Sequence, residues 1–299
     1  MVSIITTNDG SQYKKPTALT TGIAIMAGST VQGIPQAIGI PISTTVMNKM
    51  KTLNKNIDTV EITKAMDKAL EMSGMKAKGV KIFKFSPKNN KSMNNVIADF
   101  VIKMKKIMKK PANPKKPLKP VNLLNNLMLN LIRNGHNAGF NPSTNAVYIN
   151  PQKLGTSAFH EIGHAINLNS SKFWRGMQIL RMPAMIIASA LPLIALSKRK
   201  KTESEEPTGF FDKTTTFIKD NVGKLTTLAF APIVAEELMA SARENKLAKQ
   251  ILNPEMVKAV VKSNRYGAIT YIATGVLAGA GAYLANKVRD YIASPKKIE

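Results

Sequence analysis

Two histidines and a glutamate stand together in residues 158–165, AFHEIGHA: His160, Glu161 and His164. The spacing is HExxH. On a helix, positions four apart lie on one face, so His160 and His164 can grip one metal ion while Glu161 reaches water beside it. Chemistry of this kind needs two neutral imidazoles, a third protein ligand and one open position. The metal polarises a carbonyl and makes water a nucleophile near neutral pH. The glutamate takes the proton from that water and passes it to a leaving amine. With 3 His and 11 Glu in 299 residues, chance produces the pattern in about one such chain in a thousand. Zinc is the expected ion, with another divalent metal as the alternative.

The third ligand should be a carboxylate or imidazole from elsewhere, and the candidates are few. Glu203, Glu205 and Glu206 fall in a polar stretch, where solvation explains them. Glu236 and Glu237 fall in an otherwise apolar helical run, AFAPIVAEELMASA, where a carboxylate is expensive unless paired or coordinating. Neighbours on a helix point about 100° apart, so only one of these two can face the histidines. Glu244, seven residues past Glu237, shares its face and suits a supporting role behind a ligand histidine. His136 is the remaining imidazole, a third ligand, an oxyanion donor or a surface histidine. Tyr148, Arg243 and Tyr266 are the other candidates for stabilising an oxyanion.

Several elements must position these groups. IDTVEITKAMDKALEMSG reads as a helix with Ile62, Met66, Ala69 and Leu70 on one face and Gly74 as its stop. GVKIFKF reads as a half-buried strand, and NVIADFVIKMKKIMKK as a helix with Val96, Phe100, Met104 and Ile107 in one stripe. Residues 109–120, with four prolines, read as an extended linker. VNLLNNLMLNLIRNG is a short amphipathic helix, and HNAGFNPSTNAVYINP a hairpin whose second strand covers Ala146 to Ile149. Asn150–Pro151 opens a helix that runs on into the HExxH. Residues 182–197 and 267–285 are charge-free apolar runs, the first short for a span and broken by Pro192. Residues 16–48 are uncharged but rich in Gly, Pro, Ser and Thr, giving either a membrane-contacting apolar segment or an unstructured leader. Residues 198–224 read as an inserted polar loop.

Composition narrows the classes. There is no cysteine, which excludes a disulfide scaffold, a Cys-ligated metal site and a thiol nucleophile. The net charge is +25, and residues 49–120 carry 19 Lys against 5 acids. Such a field attracts anionic surfaces. Aromatics are only 6% of the chain, too few for a base-stacking nucleic-acid binder, and lysine without arginine reads no base sequence. No specific nucleic acid is therefore expected as partner.

Two blocks carry a family likeness. HEIGHA is similar to HExGHA, and TLAFAPIVAEELMASARE to TLPVEFxASxRA, of the YugP-like membrane-associated neutral zinc metallopeptidases. AITYIATGVLA is a third, weaker echo. The chain resembles this family, and more distantly the HtpX-like gluzincins, over residues 121–290. The resemblance implies zinc on His160, His164 and Glu237, because Glu237 is followed by Ala240, Ser241 and Arg243 at the family's spacing. It implies Glu161 as general base and a peptide or protein as substrate.

The expected fold is α+β, mainly α. It has a zincin-like helical core, a small sheet or hairpin before the HExxH helix, and apolar membrane-associated helices. Three stretches follow: an apolar segment over 1–48, a Lys-rich α/β region with its Pro/Lys linker over 49–120, and a zincin-like peptidase domain over 121–299. In zincins generally the strand before the motif is an edge that pairs with extended substrate, which would be Ala146 to Ile149 here. Residues 198–201, KRKK, and the lysines of 49–120 both favour the cytoplasmic side. A shallow or re-entrant hairpin at 182–197 would satisfy both and put the active site at the cytoplasmic face. The competing reading is a non-catalytic basic protein of anionic membrane surfaces with a structural zinc site. Glu161 separates the two, since a structural site has no use for it.

Overall fold

The computed structural model describes residues 4–86, 91–108, 120–202 and 205–298. In chain order it has β1 (Ile4–Thr6), β2 (Gln12–Lys14), α1 (Ala18–Lys55), α2 (Thr59–Met72), β3 (Lys81–Lys84) and α3 (Met93–Met108). Then come α4 (Pro120–Arg133), β4 (Gly139–Asn141), β5 (Ala146–Ile149), α5 (Pro151–Leu154), α6 (Ser157–Ser170) and α7 (Lys172–Ser197). The chain closes with α8 (Gly209–Asp220), α9 (Val222–Ala229), α10 (Ala231–Ile251), α11 (Pro254–Ile292) and β6 (Lys296–Lys297). The protein is mainly helical with two small sheets. It forms two compact units, each drawn from separate stretches of chain: residues 45–178 with 236–268, and residues 1–44 with 179–235 and 269–299.

The first of these units holds the HExxH segment. Asp58 caps α2, its carboxylate accepting from the backbone N–H groups of Val60 and Glu61. The expected face, Ile62, Met66, Ala69 and Leu70, is buried. It meets Val147 and Ile149 of β5, Phe159 and Ile162 of α6, and Leu247, Leu252 and Val260 from the later helices in one core. The hairpin forms as expected, with Gly139 opposite Tyr148 and Asn141 opposite Ala146. Asn141 Oδ1 accepts from Ser143 N–H at 2.9 Å and tightens the turn.

Two expectations in this unit are corrected. β5 is not an edge: it is the central strand, parallel to β3 on one side and antiparallel to β4 on the other. The GVKIFKF strand supplies the missing neighbour, so the open edges of this sheet belong to β3 and β4. Nor does the helix opened by Pro151 reach the motif. It stops at Leu154, and α6 starts afresh at Ser157. The divider is Asn54 of α1, buried at 3% exposure. Its Nδ2 donates to the Pro151 and Gln152 carbonyls at 3.2 and 3.0 Å, and its Oδ1 accepts from Thr156 N–H at 3.1 Å. A side chain takes the backbone groups that a continuous helix would have used.

The second unit gathers the apolar segments. Residues 16–48 are not unstructured: α1 runs unbroken from Ala18 to Lys55. α7 is likewise one continuous helix of 26 residues with Pro183 and Pro192 inside it, not a re-entrant hairpin. A continuous helix does not turn the chain back, so it gives no ground for both basic runs lying on one side. Residues 198–224 hold the helix α8 rather than loop alone. α8 is held by Lys219, 3% exposed, which donates to Asn286 Oδ1 at 2.6 Å and Asp290 Oδ1 at 2.7 Å. Arg289, fully buried, donates to that same Asp290 oxygen at 3.0 Å and to the Leu196 carbonyl at 3.2 Å. The run from Val222 is interrupted at Phe230, where Pro232 has no N–H to bond back to Leu228. Gly223 of α9 faces Gly279 of α11 so closely that a Cβ on Gly279 would lie 2.6 Å from the Gly223 carbonyl oxygen. Small residues let these two helices approach this closely.

Three helical runs, Lys172–Ser197, Val222–Ile251 and Pro254–Ile292, are long and apolar enough to cross a membrane. Their most apolar windows are only 28%, 33% and 28% buried. The Pro/Lys linker, apart from Pro120 at the start of α4, and Glu203 lie outside the described residues, as do the side chains of Met104 and Ile107.

Candidate metal centre

α6 presents His160 and His164 to α10, and one glycine lets the two helices meet. A Cβ on Gly163 would lie 2.4 Å from the Ala240 carbonyl oxygen and 3.0 Å from its Cα. No side chain fits there, so the residue between the two histidines must be glycine for α10 to come this close.

Three donor atoms converge across that contact. His160 Nε2 lies 2.8 Å from Glu237 Oε2. His164 Nε2 lies 3.1 Å from His160 Nε2 and 3.5 Å from the same Glu237 oxygen. The imidazole rings stand edge to face, 4.5 Å between centroids. A tetrahedral zinc with bonds of about 2.0–2.1 Å holds its ligands about 3.4 Å apart, so this trio fits one ion. A carboxylate oxygen of Glu161 lies within 4.8 Å of a ring nitrogen of each histidine. Glu237 and His164 are 1% and 4% exposed, and Glu161 8%; donors this buried are costly unless something compensates them.

The outer nitrogens of both rings also face side chains of α10. His164 Nδ1 is 2.8 Å from Glu236 Oε1, and that oxygen accepts from Asn167 Nδ2 at 2.9 Å. His160 Nδ1 faces Ser241 Oγ at 3.3 Å and Glu244 Oε2 at 3.7 Å. The Glu236 carboxylate behind His164 fixes its tautomer and turns its other nitrogen toward the metal. Glu236 thus stands behind His164 while Glu237 faces the ring nitrogens in front, the division that a 100° step between neighbours requires. Glu244 is fully buried, with neither oxygen in a well-formed hydrogen bond among the described residues. Its nearest basic atom in the site is His160 Nδ1.

The sequence assigned no role to Asn167, Ser241 or Gly163, although Gly163 and Ser241 stand within the two blocks of family likeness. Each carried a signal only in combination: Asn167 is three residues past His164 and Ser241 four past Glu237, both helical neighbours of a ligand candidate.

The other candidates are placed elsewhere. His136 accepts from the Lys51 ammonium at Nδ1, 2.7 Å, and donates from Nε2 to the Lys91 carbonyl, 2.7 Å. Burial and the nearby Lys51 and Lys153 charges hold it below the usual histidine range, against the carbonyl's pull. Both its nitrogens are engaged, so it is no ligand here. Tyr148 stacks on Phe83, centroids 5.1 Å apart, and its hydroxyl meets Thr144 Oγ1 at 3.2 Å. Tyr266 lies under Lys49. Arg243 donates to Ser170 Oγ at 2.6 Å and stacks over Trp174. It also interacts electrostatically with Glu236. Glu205 pairs with Arg199, and Glu206 is no part of the cluster.

Protonation follows from this geometry. Burial would lower the pKa of His164, but the Glu237 and Glu236 carboxylates outweigh it and raise the group well above the usual histidine value. The sign is that of a base gaining partners. In the metal-free protein the imidazolium stabilises the fold fully below pH about 6.5, and that contribution fades as pH rises through the raised folded value. A metal must displace this proton. Calorimetric titration with zinc at pH 7, repeated in buffers of different ionisation enthalpy, should show about one proton released per ion bound. Release of none would mean that His164 is neutral before metal arrives.

Comparison of the chain with protein-family models, with curated proteins and with solved structures found no match. What the site can do is therefore argued from its own donors: two imidazoles and one carboxylate toward an ion, and a second carboxylate beside them.

Proposed function

We propose that this chain is a zinc-dependent peptidase associated with a membrane, with zinc on His160, His164 and Glu237 and with Glu161 as general base. The observation that carries the reading is the convergence of His160 Nε2, His164 Nε2 and Glu237 Oε2 within 2.8–3.5 Å of one another, with Glu161 adjacent. The likeness of HEIGHA and TLAFAPIVAEELMASARE to the YugP-like metallopeptidases supports it.

Bound zinc supplies Lewis acidity, polarising a peptide carbonyl and acidifying water. The protein's own residues do the rest. Glu236 behind His164 and Ser241 behind His160 keep the rings oriented, their inner nitrogens turned to the ion. Glu161 accepts a proton from the attacking water and delivers it to the departing amine. Extended peptide adds to an open sheet edge. Of the two available, β4 is the one that packs on α6, so main-chain pairing along Gly139–Asn141 would bring a scissile bond toward the motif helix. Arg243, tied to Glu236, is the remaining candidate for oxyanion stabilisation.

Membrane association rests on the three long apolar helices and on how little of them is buried. Met182, Ile186 and Leu193 of α7 are 66%, 64% and 62% exposed. An outward apolar face of this size asks for lipid or a partner.

The test uses the full chain in mild detergent with an unfolded protein as substrate. Cleavage should stop when a chelator strips the metal and return when zinc is restored. A chain that binds zinc at about one per molecule and cleaves nothing would contradict the peptidase reading and leave a structural site.

A further inference from the structure

The described surface of the unit that holds the metal centre also carries a groove of about 380 Å³ between α1 and α11. Thr45, Asn48, Lys49 and Thr52 line one wall, and Lys262 and Tyr266 the other. Positions 45, 48, 49 and 52 are one face of α1, and 262 and 266 one face of α11. Two lysines, three hydroxyl side chains and an amide thus line one small space, and no acid is among the lining residues. Lys49 Nζ stands over the Tyr266 ring, 5.5 Å from its centroid. This inventory suits a phosphate: two cations for its charge, short polar side chains for its remaining oxygens, and a ring to flank it.

The place of the groove along both helices points to the carrier. On α1 its residues straddle the end of the charge-free stretch 16–48, and Lys49 is the first charge after it. On α11 they precede directly the charge-free stretch 267–285, with Tyr266 as its neighbour. Lysine and tyrosine at the end of an apolar run are what the headgroup level of a bilayer selects. We propose that the groove binds the phosphate of an anionic membrane phospholipid, held by Lys49 and Lys262. This does not depend on the peptidase reading.

The experiment follows thermal unfolding of the full chain in a neutral detergent while phosphatidylglycerol, phosphatidylcholine or inorganic phosphate is added. Phosphatidylglycerol should raise Tm saturably. The choline lipid and inorganic phosphate should act far more weakly. The double variant Lys49→Gln/Lys262→Gln, at two exposed positions, should keep the lipid-free Tm and need roughly thirty-fold more phosphatidylglycerol, the loss expected of two lysines at an anionic headgroup. Lys49→Arg/Lys262→Arg should bind as the natural chain does. Lys64→Gln/Lys68→Gln, equal in charge change but on α2, should as well. An equal loss in the α2 variant would make the effect one of net charge and overturn the site. So would undiminished binding by the groove variant. A full response to inorganic phosphate alone would overturn the lipid as carrier.

Discussion

Glu161→Gln is expected to lower kcat for peptide hydrolysis by about 10²–10⁴-fold, the range for loss of a positioned general base, while the protein keeps its metal. Glutamine has the shape of glutamate, so the buried position on α6 is not disturbed by volume. The three converging donors, His160 Nε2, His164 Nε2 and Glu237 Oε2, are untouched. What is lost is the only group in the motif with a lone pair to spare for a proton once both histidines are committed to the ion. Elemental analysis and steady-state kinetics on the same preparation check both halves. An unchanged kcat would remove Glu161 from the chemistry. A variant that loses its zinc would make Glu161 a ligand, and the division of roles within the motif would be wrong.

Gly163→Ala should damage the fold and the metal centre together. The added Cβ would meet the Ala240 backbone, with the carbonyl oxygen at 2.4 Å and its carbon at 2.9 Å. A flexible side chain could swing aside, but a helix backbone cannot. Relief requires α6 and α10 to part, and those two helices carry the two imidazoles and the carboxylate that must stay within reach of one ion. Metal sites tolerate about 0.2 Å of error in a bond. The expected outcome is a loss of about 1–3 kcal/mol in stability from overpacking together with roughly 100-fold weaker zinc binding. Thermal unfolding and competition with a zinc indicator measure the two. Native zinc affinity in this variant would show that the close contact at Gly163 does not set the donor geometry.

Much of the local structure was legible because it is local. The α2 face of Ile62, Met66, Ala69 and Leu70 repeats at helical spacing, and the β4–β5 hairpin announces itself through Asn141 and Asn145 between apolar runs. The HExxH pattern owes nothing to tertiary context either. What the sequence could not show depends on distant pairings. The paired positions of β3 and β5 are 65 residues apart, Lys81 with Ala146 and Lys84 with Ile149, and no periodicity announces that a parallel partner will cover β5. The division of α5 from α6 is dictated by Asn54, nearly a hundred positions upstream. α8 read as loop because its polar composition hides Lys219, whose burial makes sense only once Asp290 and Asn286 are beside it. The roles of Glu236 and Glu237 were open for a similar reason: their spacing says that one of them turns away from the ion, but only the packing of α10 on α6 places each against a particular nitrogen.

The most direct measurement of the central claim is metal content of the purified full chain and of Glu237→Gln, side by side after equilibration with zinc. The account predicts about one zinc per chain in the natural protein, the stoichiometry of a single site, and a sharp loss in the variant, because Glu237 Oε2 is the one carboxylate oxygen that faces both inner nitrogens. Full zinc in Glu237→Gln would contradict the ligand set. No zinc in either protein would contradict the metal centre itself.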